Sequence, residues 1–364
     1  MANASPADVS PSLARVRVTL KDIARQLGVS PATVSNAYNR PDQLSAELRA
    51  RILHTAQQLG YSGPDPLASN LRRGRARAMG VLYDAPLSYA FADPAASLFL
   101  GGVAAALQQE GLNLLLIPGT RDVAPSVASA SVDGFIVYCA QDGSELLTSA
   151  LGRGLPLVMV DQAQVPGIAH VGIDDYGGAH AAAAHLLELG HRSIGVVSLG
   201  LSERPQQGPV SLKRERQAGY YTTRERLRGY RDALGRRRAR LHVYEALQNT
   251  PAEGEAQARA LLSAHPEITA LLCMSDVLAM GAWRAAQQLG YAVPQRLSLL
   301  GYDDLPVAAT LGLTSVYQPT EDKGRLAGEL LLEQLAGAPE RQVRLPTELR
   351  VRASTAAPEA QSSG

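Results

Sequence analysis

Only two cysteines occur in 364 residues, Cys139 and Cys273, and both sit in apolar, strand-like runs. That excludes a disulfide-stapled scaffold, and reduced, buried thiols in a cytoplasmic protein are expected. No run of about 18 uncharged apolar residues appears, so no membrane span is expected. The opening residues, MANASPADVSPS, have neither the basic nor the apolar stretch of a secretion signal, so secretion is not expected. They read as a disordered leader over residues 1–17. Also missing are a G-x-S-x-G elbow, a P-loop and an HExxH pair, so an enzyme is not expected, with no catalytic residues and no cofactor. His180, His185 and His191 look clustered, yet a five-residue step turns a helix by about 500° and sets the first two about 140° apart. No metal site is expected there. An excess of one charge is absent as well, since the net charge is +1.

What is present is unevenly placed. Residues 15–77 hold eleven Lys/Arg against four Asp/Glu, a net of +7, while residues from 78 onward carry −5. A basic head on an acidic body is what phosphate binding by one end predicts. Within that basic region lies the stretch VTLKDIARQLGVSPATVSNAYN, Val18 to Asn39. Thr19 is placed to cap a first helix with Asp22 completing a capping box, and Gly28 ends it. Ser30 caps a second helix whose first residue is Pro31, the position where a helix accepts proline. That helix buries Val34 and exposes small polar residues, the build of a helix-turn-helix reader of the major groove. Ser45 can cap a third helix ending near Gly60, with Leu48, Ile52, Ala56 and Leu59 on one face. An all-α head over residues 18–63 follows, then an arginine-dense hinge over 64–77.

The body, 78–354, alternates strand and helix, with strands expected at 78–84, 112–118, 133–140, 155–161, 193–199, 268–274 and 297–303. Helical patterns run from Ala179 to Leu189 and from Val277 to Leu289. Apolar runs between helices argue for parallel sheets covered on both faces. Several strands end in Asp or Tyr, at the carboxyl ends where ligands bind in open α/β sheets. Carboxylates there suit a hydroxyl-rich ligand, because an ionised carboxylate only accepts. Residues 355–364 read as a flexible tail.

The head motif, the LGY at Leu59–Tyr61 and the LASNLRRG hinge resemble the lactose-repressor (LacI/GalR) family of bacterial transcription regulators. VDGFIV, HLLELGHRSIGVV, RERLRGYRDAL, ALLCMSD and VPQRLSLLGYDDLP extend the likeness over nearly the whole chain. The resemblance implies a periplasmic-binding-protein-like body of two Rossmann-like subdomains with an effector cleft. It implies a repressor that binds a palindromic double-stranded operator as a homodimer and is modulated by a small molecule, a sugar or sugar derivative by family precedent. On the head, Thr19, Ser30, Thr33, Ser35 and Asn39 are expected to bond phosphates, which fixes register without reading sequence. The resemblance places Pro31, Ala32 and Asn36 at base-facing positions, and Asn36 can read adenine as a bidentate pair. In the hinge, Leu71 matches a leucine that wedges into the minor groove. Ala68 lies one turn before it, and Arg72, Arg73, Arg75 and Arg77 would add phosphate contacts. In the cleft the resemblance points to Asp84, Asp161, Arg226, Ser275, Asp276 and Asp303. Ser275 stands where many members have Asn, and Asp84 falls at a variable position. Asp276 also reads as a cap for the helix from Val277, Asp304 as a cap for the next segment, and Arg226 as part of a solvated arginine face. The long segment at 202–221 reads either as a lid or as a surface loop. A sugar-binding protein without DNA activity is the rival reading for the body alone.

Overall fold

The computed structural model describes residues 18–61, 63, 75–119, 123–235 and 239–359. The expected leader and most of the expected hinge, including Ala68, Leu71, Arg72 and Arg73, lie outside these residues. The chain divides into two compact units, Met1–Ala76 and Arg77–Gly364.

The head unit has helices α1 (Leu20–Leu27), α2 (Pro31–Asn39) and α3 (Ala46–Gln58). Local chemistry sets their ends. The Asp22 carboxylate accepts from both the backbone N–H and the hydroxyl of Thr19, at 3.0 and 2.7 Å. Gly28 takes φ 66°, a left-handed conformation that costs glycine little. Ser30 accepts from the N–H of Thr33, and Ser45 from that of Leu48. Ile23, Ala24, Val34, Ala37, Ile52 and Ala56 form the buried core, flanked by Leu48 and Leu59. One short 3₁₀ turn at Pro41–Gln43, not expected from the sequence, joins α2 to α3.

The body unit runs β1 (Ala78–Tyr83), α4 (Leu87–Ala92), α5 (Pro94–Gln109), β2 (Asn113–Pro118), α6 (Val123–Ser129), β3 (Gly134–Tyr138), α7 (Glu145–Gly152), β4 (Leu157–Val160), β5 (Ala169–Ile173) and α8 (Asp175–Glu188). It continues through β6 (Ser193–Ser198), β7 (Gly208–Pro209), α9 (Leu212–Arg216), α10 (Tyr221–Leu234), β8 (Arg240–Glu245), α11 (Pro251–Ala264), β9 (Ala270–Cys273) and α12 (Asp276–Gln288). The last elements are β10 (Ser298–Asp303), α13 (Pro306–Leu311), β11 (Thr314–Tyr317), α14 (Thr320–Leu335), β12 (Gln342–Leu345) and β13 (Glu348–Arg350).

Two sheets result, in the orders β12-β5-β4-β3-β1-β2 and β13-β11-β10-β9-β6-β8-β7. All pairings are parallel except β11 with β13 and β7 with β8. The chain passes between the sheets three times, after β5, after β11 and after β12. The second passage delivers α14 back onto the first sheet, pressed against α5. A Cβ at Gly324 of α14 would lie 2.0 Å from the Phe99 carbonyl of α5, and one at Gly102 would lie 2.0 Å from that of Glu321. Glycine at both positions is therefore what lets the helices touch, and the contact turns the neighbouring Lys323 inward.

Two boundaries differ from expectation. Arg77 belongs to the body: its N–H donates to Asp133 and its guanidinium to the Gly111 carbonyl at 3.0 Å. Those bonds hold it on protein, not on phosphate. The expected tail is pinned at its start, where Ala356 N–H donates to Ser298 and its carbonyl accepts from His191 at 2.9 Å.

Candidate DNA-reading face and effector cleft

On the head, Thr19, Ser30, Pro31 and Ala32 are exposed, while Thr33, Ser35, Asn36 and Asn39 are half-buried. The α2 N-terminus thus presents small side chains that let a backbone approach closely. Several hydroxyls are already oriented: Ser30 and Thr33 lie 2.8 Å apart, and the Asn39 amide donates to the Ser35 carbonyl and hydroxyl. Asn36 donates to Gln43 at 3.1 Å. The 3₁₀ turn therefore steadies the one amide expected to read a base.

In the body the carboxyl ends of both sheets face one another. Four non-glycine residues there adopt positive φ: Cys139 (52°), Asp161 (56°), Asp303 (106°) and Asp304 (53°). Such strain costs of order 1–3 kcal/mol per residue and clusters where side chains must be aimed. Two ion pairs lie in the cleft floor. Asp161, at the end of β4, pairs with Lys323 of α14, and both are almost wholly buried. Arg226 of α10 donates from Nε to Asp175 at 2.8 Å and from Nη1 to the Met274 carbonyl at 2.6 Å. Its guanidinium lies 3.6 Å from the Tyr302 ring centroid. Only 4% exposed, Arg226 is no part of a solvated face. A polar chain then joins the two subdomains: Lys323 donates to Gln318 at 2.9 Å, and Gln318 donates to Asp303 at 2.6 Å.

Each pair leaves one acceptor over. Asp161 Oδ1 and Asp175 Oδ2 are buried and have no hydrogen-bond partner among the described residues. Unmatched buried acceptors are costly and need an explanation. Burial pushes the Asp175 carboxyl up to about 6 against the pull of Arg226, and pushes Asp303 well above the carboxylate range. Beside the charges lies an aromatic wall, with Phe99 stacked on Tyr138 at 4.0 Å and Tyr83 at 5.5 Å from Tyr138. A cavity of about 200 Å³ opens beside Asp303 and Gln318, with Leu98 on its other side. A larger one, about 440 Å³, lies at the opposite end of the second sheet among Arg192, Arg240 and Glu267, away from these groups. We place the site by the convergent polar residues, not by the larger volume.

The other expected cleft residues fall into place differently. Asp84 accepts from the Gln141 N–H and from the Tyr220 hydroxyl at 3.1 Å. Ser275, not Asp276, caps α12, accepting from the Leu278 N–H and donating to Asn249. Asn249 in turn donates to Asp93 of the first subdomain at 3.3 Å. Asp276 needs correcting: its two oxygens accept from Leu305 N–H and Ser315 Oγ, each at 2.7 Å, and it is fully buried. It clamps the second subdomain internally, tying α12 to Leu305 and to β11. Asp304 likewise caps nothing and is held by Arg350 and Arg352. The 202–221 segment is anchored through Glu245 and touches the first subdomain: the Glu203 N–H donates to Gln141, and Gly219 O accepts from Asp142. With the Tyr220 hydroxyl on Asp84, the segment bridges the two subdomains.

Lys323, Gln318, Asp175 and the Asn249–Asp93 bond were missed by sequence reasoning. One signal existed for Lys323, which shares a helical face with buried Ala327 and Leu330, an odd place for a lysine without a buried partner.

This pairing of a helix-turn-helix head with a two-subdomain cleft defines an effector-responsive DNA-binding regulator class. Residues 19–63 match the bacterial regulatory proteins of the lacI family, and residues 183–355 match the periplasmic binding protein-like domain. The HTH-type transcriptional regulator Rv3575c of Mycobacterium tuberculosis is 42% identical over 95% of this chain and 99% of its own length. A LacI-family transcriptional regulator from Corynebacterium glutamicum shares the structure with TM-score 0.73 and 35% identity, over 93% of this chain and 98% of its own. The transcriptional regulator CelR in complex with cellobiose does so with TM-score 0.67 and 28% identity, over 93% and 100%. The chain belongs to the lacI family of transcriptional regulators.

Proposed function

We propose that this chain is a repressor that binds a palindromic double-stranded operator as a homodimer and changes its operator affinity when a neutral, hydroxyl-rich effector enters the cleft. A sugar or sugar derivative has that chemistry, and CelR is a relative seen with cellobiose. One observation carries the effector class: the two free positions in the cleft floor, Asp161 Oδ1 and Asp175 Oδ2, are both acceptors. Hydroxyl donors satisfy them, whereas an anionic ligand meets the carboxylates of Asp161 and Asp175 at close range. Arg226 and Lys323, each already holding an acceptor, orient those carboxylates. No catalytic step is assigned to any of these groups, and a cytoplasmic setting follows from the DNA partner.

On DNA, the α2 N-terminus enters the major groove, Asn36 reads a base edge, and the hydroxyls of Thr19, Ser30, Thr33 and Ser35 with Asn39 hold phosphates. Two heads on a two-fold axis match a palindrome. Ala68, Leu71, Arg72 and Arg73 take the minor-groove and phosphate roles of the hinge. Coupling between cleft and operator is expected at about 1–3 kcal/mol. Operators selected from a random pool, then titrated by fluorescence anisotropy with and without a sugar panel, test the proposal. A selected palindrome whose binding is shifted by one neutral polyol supports it. Sugar binding with no selected sequence at low salt would leave a solute-binding protein.

A further inference from the structure

At the end of the second sheet away from the cleft, three metal-type donors converge. His242 is the third residue of β8, paired with Gly195 of β6. His265 closes the C-terminus of α11, and Glu267 follows two residues later. The strand pleat turns His242 and Tyr244 to the same side, where the His265 ring lies 3.8 Å from that of His242 and edge-on to Tyr244 at 6.3 Å. Glu267 Oε1 is 3.8 Å from His242 Nε2 and 3.8 Å from His265 Nδ1. Those separations are too long for hydrogen bonds, and His242 Nε2 is buried with no hydrogen-bond partner among the described residues. One ligand atom from each residue lies within 4.8 Å of the others.

We propose that His242, His265 and Glu267 bind one borderline divalent transition ion of the zinc class. Ligands about 2.0–2.2 Å from such an ion sit about 3.3–3.5 Å from one another in a tetrahedron. The two Glu267 contacts, each 3.8 Å, therefore close by only some tenths of an ångström, and the two imidazoles turn toward one another from within 4.8 Å. Two imidazoles and one carboxylate select this class over calcium or magnesium, which prefer oxygen cages. Among the described residues three arginines stand nearby, and Arg192 is held by the Leu187 and His191 carbonyls. Arg231 is taken up by Glu215, at 2.5 and 2.9 Å, and Arg240 is exposed. A bound ion ties β8 to the α11–β9 connection and leaves its fourth position open to solvent. The histidines conspicuous in the sequence play no part, since His185 bonds Thr355 and His191 bonds Thr269, Ser298 and Ala356.

The test is a Co²⁺ titration of the chelator-stripped full chain, followed by visible absorption and by thermal unfolding with added Zn²⁺. One Co²⁺ per chain with a tetrahedral d–d spectrum, displaced by Zn²⁺ and not by Mg²⁺, is expected. Glu267→Gln, at an exposed position, should weaken binding tenfold or more while operator binding shows the fold intact. His242→Ala should abolish both the spectrum and the Zn²⁺-dependent rise in Tm. Absence of a tetrahedral spectrum in the wild-type chain, or a spectrum that survives His242→Ala, would overturn the site.

Discussion

The head and the cleft carry their function in opposite ways. The head sets exposed or half-buried, uncharged side chains on a core of six small and medium apolar residues. The cleft places charged groups inside the body, Arg226 at 4% exposure and Lys323 at 1%. Reading groups at a surface contribute little to the fold, so the head can change its base preference at small cost to stability. Buried ion pairs belong to site and scaffold together, because removing one partner strands the other in a medium that solvates it poorly. The head is thus the easier part to re-specify, and the cleft the harder.

The sharpest way to break that contrast is Arg226→Ala. It leaves the Asp175 carboxylate buried and should destabilise the body by about 3–5 kcal/mol, read by urea denaturation, along with loss of effector response. Lys323→Met should cost nearly as much, and pairing it with Asp161→Asn should recover most of the loss. If either single change is neutral, these pairs are not structural. Asn36→Ala probes the other side. Specific operator affinity should fall by about 1–3 kcal/mol, with non-specific binding and the urea midpoint unchanged. Gln43→Ala, which only steadies Asn36, should do the same more weakly. The smallest expected effect is the loss of the Ser30 cap, about 1 kcal/mol of head stability in Ser30→Ala.

A pH series sharpens the comparison further. Burial raises the Asp276 carboxyl from the ordinary aspartate range to about 7. The folded body therefore holds a proton that the unfolded chain has released between about pH 4 and 7, so this group's contribution to stability falls as pH rises through that window. Asp276→Asn should flatten that fall in a urea series, and no such slope should originate in the head.

Legibility in the sequence divides along the same line. Helix ends in the head were readable because Thr19, Ser30, Ser45 and Gly28 act on backbone within a few residues of themselves. Seven body strands were readable from their apolar runs. Those not anticipated, β5, β7, β8 and β11 to β13, are short, polar or edge strands such as RLHVYE and QVRL, recruited by pairing instead of by their own pattern. Arg226 stood out by motif, but its alternative as a solvated residue fell only once Asp175 and Tyr302 were seen around it. Asp276 misled because a helix start and a ligand site look alike locally, while Leu305 and Ser315, its real partners, lie 29 and 39 residues away. Lys323 was hidden for the same reason, since Asp161 lies 162 residues from it.

On the proposed function, the buried acceptors Asp161 Oδ1 and Asp175 Oδ2 receive the effector whose binding changes what the head does on DNA. The direct measurement is operator affinity by fluorescence anisotropy across a panel of neutral polyols, sugar phosphates and aromatic acids, for wild type and Asp161→Asn. One neutral polyol should shift wild-type operator affinity by fivefold or more, within the usual range of coupling, and the shift should collapse in Asp161→Asn. A shift produced by an anionic ligand, or a polyol response that Asp161→Asn leaves intact, would contradict it.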